Sequence, residues 1–151
     1  MYKHCEINDE HISLHDCHAT NTTYEKGILT FCFDDGIWIS SNTLNKTVRT
    51  DKGCVKFYLE TGEECDVSIY VFEKKIKRTI RKELPISKLL DFINDKKYTL
   101  EFSYQYKGYN SRVIDCWLWS EKKPFHKECQ MKFRIEKVEY CWNNLREDRV
   151  W

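Results

Sequence analysis

The residues best suited to chemistry in this chain fall in two places. Leu14-His15-Asp16-Cys17-His18 gathers two histidines, an aspartate and a cysteine, and His126-Lys127-Glu128-Cys129 adds a further imidazole and thiol. Together His15, Cys17, His18, His126 and Cys129 offer the nitrogen and sulfur ligands that a structural zinc takes. Spacing argues against that site. In an extended strand His15 and Cys17 point one way while Asp16 and His18 point the other. Zinc sites usually start from a Cys-x-x-Cys knuckle, and the chain has none. The same alternation keeps Cys17 from facing its neighbours as an activated nucleophile. The expectation is therefore no metal, no cofactor and no thiol catalysis, with His15 or Asp16 satisfying backbone groups where a strand begins.

Carboxylates cluster at Asp34-Asp35 and at Glu63, Glu64 and Asp66. A carboxylate pair can serve hydrolysis, but charges in tight turns ordinarily supply solvation and turn geometry. The five glycines form no phosphate-cradling cluster, and neither Gly-x-Ser-x-Gly nor His-Glu-x-x-His occurs. No residue here asks for catalysis.

The aromatics ask for more. Tyr104, Tyr106, Tyr109, Trp117, Trp119, Tyr140, Trp142 and Trp151 crowd the second half. Most sheet aromatics belong to a core. Yet both faces of 115–119 carry bulky residues, and the tail ends in Trp151. Trp and Tyr are the types that anchor interfaces. Tyr104, Tyr106, Tyr109, Trp117, Trp119, Trp142 and Trp151 are thus the candidate partner or ligand surface.

Strands must position these residues. Alternation runs through Ile28–Phe33, and Glu25-Lys26-Gly27 turns it back on Cys17–Tyr24. Asp34-Asp35-Gly36 before Ile37-Trp38-Ile39 is a second hairpin signal. Val55–Leu59 follows, and Thr61-Gly62-Glu63-Glu64 leads into Asp66–Phe72, apolar on both faces and so central. One helix intervenes: Ile86, Leu89, Leu90 and Ile93 recur at helical spacing after Pro85, near 85–94. Tyr98, Leu100, Phe102, Tyr104 and Tyr106 then share one strand face in strict period two. Ile114, Cys116 and Leu118 face inward from Val113–Ser120. In the last long strand Cys129, Met131, Phe133 and Ile135 face inward, and the inward phase then shifts to Val138, Tyr140 and Trp142. That shift predicts a bulge near Glu136–Lys137. The reading is a mainly β (α+β) chain: a single antiparallel domain over 1–151, sandwich or barrel-like, of about eight strands with one helix.

Composition agrees. A chain of 151 residues with 41% hydrophobic and 15% aromatic content can fill a core without metals. Charged residues nearly cancel to a net +1, which leaves no electrostatic footprint for nucleic acid or an anionic membrane. The first ten residues lack a signal-like apolar run, and no segment approaches the roughly 18 apolar residues of a membrane helix. These features predict a cytoplasmic address. There all eight cysteines would be free thiols, most of them small buried hydrophobes. The abundance of Lys, Asn and Ile fits a bacterial chain of AT-rich coding.

Leu14-His15-Asp16-Cys17, the turn Glu25-Lys26-Gly27 and Ile28-Leu29-Thr30-Phe31 resemble the opening of small bacterial immunity proteins of toxin systems. The resemblance spans residues 12–40. In that family a Phe- or Leu-His-Asp-Ala-like start precedes a β-hairpin, so Cys17 stands where alanine is commoner. It implies a partner that is another protein, a cognate toxin neutralised by binding, with no catalytic residues to carry over. The expected function is a non-enzymatic, immunity-type binding protein. The alternative is a small-ligand-binding or hydrolytic β-barrel, its pocket lined by Tyr104, Tyr106, Trp117 and Trp119.

Overall fold

Alternating hydrophobicity makes strands along nearly the whole chain. The computed structural model describes residues 1–7, 10–41 and 45–151, apart from the side chains of Ser41 and Glu147. In order the elements are β1 (His4–Glu6), β2 (Ile12–Ser13), β3 (Cys17–Ala19), β4 (Asn21–Glu25), β5 (Ile28–Phe33), β6 (Trp38–Ser41) and β7 (Lys46–Thr50). Then come β8 (Gly53–Leu59), β9 (Val67–Lys75), β10 (Arg78–Glu83), α1 (Ile86–Asn94), β11 (Thr99–Lys107), β12 (Ser111–Trp119), β13 (His126–Trp142) and β14 (Leu145–Val150). All pairings among the described residues are antiparallel. A ten-stranded sheet and a four-stranded sheet (β14-β7-β6-β2) result, neither closed into a barrel.

The spine is β13. Its first half pairs with β12 and β9, and its second half with β8 and β1. Between them the register slips at Glu136, which is the bulge the change of inward phase predicts. Cys129, Met131, Phe133 and Ile135 before it, and Val138, Tyr140 and Trp142 after it, are all buried. The large sheet folds over so that strands distant within it touch. Phe102 of β11 lies 5.3 Å from both Phe31 and Phe33 of β5, and on the neighbouring strands β8 and β13 Phe57 stacks on Phe133 at 4.7 Å. Edge-to-face and stacked aromatic pairs like these stabilise beyond the area they bury.

Local chemistry explains several joints. Lys26 and Gly27 both take positive φ, at 51° and 74°, the geometry whose twist matches a tight β4–β5 hairpin. The helix buries Ile86, Leu89 and Ile93, each worth about 1.5–3 kcal/mol if fully withdrawn from water. Asn94 ties its end to β4, accepting from the Thr22 amide at 2.9 Å and donating to the Thr22 carbonyl at 2.8 Å.

Four expectations are corrected. Asp34-Asp35-Gly36 does not close a β5–β6 hairpin; it passes the chain into the small sheet, where β6 pairs with β7 and β2. Gly36 has φ 77°, and a Cβ there would sit 2.0 Å from the Thr50 carbonyl oxygen, so the turn needs glycine. Residues 17–24 are not one strand either, for β3 pairs with β11 while β4 pairs with β5. There are fourteen described strands, because short edge pieces and the polar, largely exposed β10 carry little periodicity. Lastly, Cys5 and Cys141 form a disulfide, leaving six free cysteines. β1 sets Cys5 directly opposite Cys141, a neighbour 136 residues away in the chain.

Candidate functional site

The outer face of the sheet formed by β11, β12, the first half of β13 and β9 is assembled by a second bulge. The register of β11 on β12 slips between Phe102 and Tyr104. Leu100 and Phe102 remain in the core, opposite Leu118 and Cys116, whereas Tyr104 and Tyr106 turn outward opposite Asp115 and Val113. The expectation that Tyr98 to Tyr106 share one face is corrected by this extra residue, Ser103.

Directly paired residues of a sheet share a face. One outward row therefore crosses six strands: His18, Glu101, Trp117, Glu128, Phe72 and Arg81. A second row holds Tyr104, Asp115, Gln130 and Tyr70. Polar contacts set the side chains. The Trp119 indole N–H donates to the Glu101 carboxylate, whose Oε2 also lies 3.4 Å from His18 Nε2. Gln130 donates to Asp115 at 2.9 Å, and Lys74 lies 3.0 Å from Glu128. The His126 ring sits 5.2 Å from both Trp117 and Trp119.

Trp117 stands between two depressions. One, of about 530 Å³, is lined by Phe72, Glu101, Tyr104, Asp115, Trp117 and Glu128 among others. The other, of about 350 Å³, lies toward Lys74, Pro124, His126 and Lys127. Indole and phenol faces beside carboxylates can hold apolar groups and cations, through stacking, cation–π contact and charge-assisted hydrogen bonds.

The residues named from sequence divide clearly. Tyr104, Tyr106, Tyr109 and Trp119 are exposed, and Trp117 is half-buried within the outward row. Trp151 is exposed but belongs to another place, packed on Trp38 at 5.3 Å and His15 at 5.5 Å. Trp142 is corrected outright: at 6% exposure it is core, stacked on His4. Sequence reasoning does not single out Glu101, Asp115, Glu128 or Phe72, although Glu101 alternates with Leu100 and Phe102 and so faces away from them.

The ligand-type residues are scattered. His15 and Asp16 occupy a turn, not an extended strand: Asp16 has φ 57°, the Cys17 amide donates to the Leu14 carbonyl, and the Asp16 amide donates to Phe102. Cys17 is buried, and burial pushes its thiol up to about 12, so thiolate is scarce at neutral pH. Cys129 is buried behind the sheet, its thiol likewise raised to about 12, while His18 and His126 lie on the front. Among the acidic turns, Asp66 is buried and accepts from the Thr61 hydroxyl at 2.8 Å. Asp35 gathers Arg149 at 2.6 Å, Arg49 at 3.6 Å and Arg146 at 3.7 Å. Both have structural partners. No helix among the described residues is long and apolar enough to cross a membrane.

No protein family, curated protein or solved structure matches this chain.

Proposed function

We propose that this chain is a non-enzymatic binding protein that takes another protein on the outer face of β11, β12, β13 and β9, as an immunity-type inhibitor takes a toxin. The observation that carries this reading is the placement of the surplus aromatics. Trp117, Trp119, Tyr104 and Phe72 lie on an open sheet face, while the interior is filled by Phe31, Phe33, Phe57, Phe102, Phe133 and Tyr140. The tyrosines and tryptophans that would line a barrel pocket thus stand outside the core, which favours a partner surface over an internal ligand cavity. Glu101, Asp115 and Glu128 between the rings suit a partner that presents Lys or Arg.

The test is affinity capture from the native cell with wild-type protein and with the double variant Trp117→Ala/Trp119→Ala, followed by direct titration of the captured protein. One partner with a basic surface is expected, bound by wild type, weakened at high salt and lost in the folded double variant. Equal binding by the variant would refute the assignment of this face.

A further inference from the structure

On the outer face of the second half of β13, cysteines on four neighbouring strands stand in register. Cys5 pairs with Cys141, Cys141 with Cys54, and Cys54 with Cys32, so their side chains leave the same face. Glu139, two residues before Cys141, shares it. The sulfurs of Cys5 and Cys141 and a carboxylate oxygen of Glu139 lie within 4.8 Å of one another. No other trio of Cys, His or carboxylate ligands converges this closely among the described residues. Lys56 at 2.6 Å and the Tyr58 hydroxyl at 3.2 Å hold the carboxylate in place. Two sulfurs and one oxygen form a donor set that suits zinc and not magnesium or calcium.

We propose that Cys5, Cys141 and Glu139 hold a zinc ion whenever the Cys5–Cys141 disulfide is opened. Disulfide and metal are alternatives at one pair of sulfurs. Opening takes two electrons and two protons from a dithiol, which leaves as its own disulfide. Zinc then displaces the two thiol protons and is held by two thiolates and the carboxylate. The strand need not depart when the bond opens. The Lys3 amide donates to the Trp142 carbonyl at 3.1 Å, and the Tyr2 hydroxyl to the Gly53 carbonyl at 3.4 Å, so Cys5 stays beside Cys141. Cys5 is exposed and gives the ion its way in. Cys54 shares the face, but its sulfur is not among the ligand atoms that converge within 4.8 Å of one another.

The experiment compares oxidised and dithiol-reduced protein, after removal of the reductant, by elemental analysis and by titration with cobalt(II) as a spectroscopic probe. Reduced wild type should take stoichiometric zinc and show thiolate-to-cobalt charge-transfer absorption. Oxidised protein should take none. Cys5→Ser should lose the site, Glu139→Gln should weaken it about tenfold or more, and Cys54→Ser should keep it. Glu139→Gln leaves every cysteine in place, so it decides the matter even if Cys5→Ser folds poorly. Reduced wild type that binds no more zinc than Cys5→Ser, or affinity unchanged in Glu139→Gln, overturns the site. Loss of zinc in Cys54→Ser overturns the three-ligand set.

Discussion

Before the bulge at Glu136, β13 sends His126, Glu128, Gln130 and Lys132 outward between Trp117 on one side and Phe72 and Tyr70 on the other. After it, the same strand sends Lys137, Glu139 and Cys141 outward between Cys5 and the row Cys54, Lys56 and Tyr58. The inner rows of the two halves are alike and merge in one core. The outer rows are not. The first half leaves aromatic rings over open depressions. The second has β1 paired along its edge, and Tyr2, just before β1, reaches Cys54 and Cys32, where burial beside those sulfurs raises its phenol. One strand can thus serve two outer purposes, because a single inserted residue resets which side chains face out while the core stays continuous.

The largest effect should come from cutting the joint between the halves. Phe102→Ala removes a ring that touches both Phe31 and Phe33, and should cost about 3–5 kcal/mol in a denaturant melt. If the halves share a core, the loss appears as one cooperative transition at a lower midpoint. Two separate transitions would show that they are independent.

Next in size is the disulfide. Cys5→Ser, or reduction, should cost about 2–5 kcal/mol, with hydrogen exchange accelerating in β1 and the second half of β13 more than in β12. An unchanged melting temperature would instead restore the reading of eight free thiols.

A smaller, pH-dependent effect belongs to Glu139. Its hydrogen bond from Lys56 holds the carboxyl below the usual glutamate value, against a weaker opposing push from burial. A folded-state value below the unfolded one contributes stability that is present above about pH 4.3 and is lost as pH falls through the folded value. Glu139→Gln should therefore flatten the acid limb of the stability profile. An acid limb identical to wild type would contradict the pairing. Smallest of all, Trp119→Ala should move stability by only about 0.5 kcal/mol, since its ring is exposed and its partner Glu101 keeps His18. A loss of several kcal/mol would make the outer aromatic face structural.

Elements whose signal lies within a dozen residues were legible. Helical spacing of Ile86, Leu89 and Ile93 located α1, Lys26-Gly27 located a hairpin, and the change of phase after Ile135 located the bulge of β13. The bulge at Ser103 was not legible, because Tyr104 and Tyr106 continue an unbroken alternation that suits a core as well as a surface. Asp34-Asp35-Gly36 has hairpin residues, yet Thr50 packs against Gly36 and receives the turn into another sheet. Glu101, Asp115 and Glu128 lie on three strands, and nothing within any one strand says that the others stand beside it.

By itself the sequence determined parity within each unbroken run, the break after Ile135 though not the one at Ser103, and that one amphipathic helix covers a sheet. Those properties follow from backbone geometry, which repeats every two residues in a strand and every 3.6 in a helix. Tertiary structure alone decided register and neighbourhood. Hydrogen-bond ladders accept any residue at a pairing position, so only the packed whole sets Cys5 against Cys141 and Cys54, or Trp117 between two carboxylates.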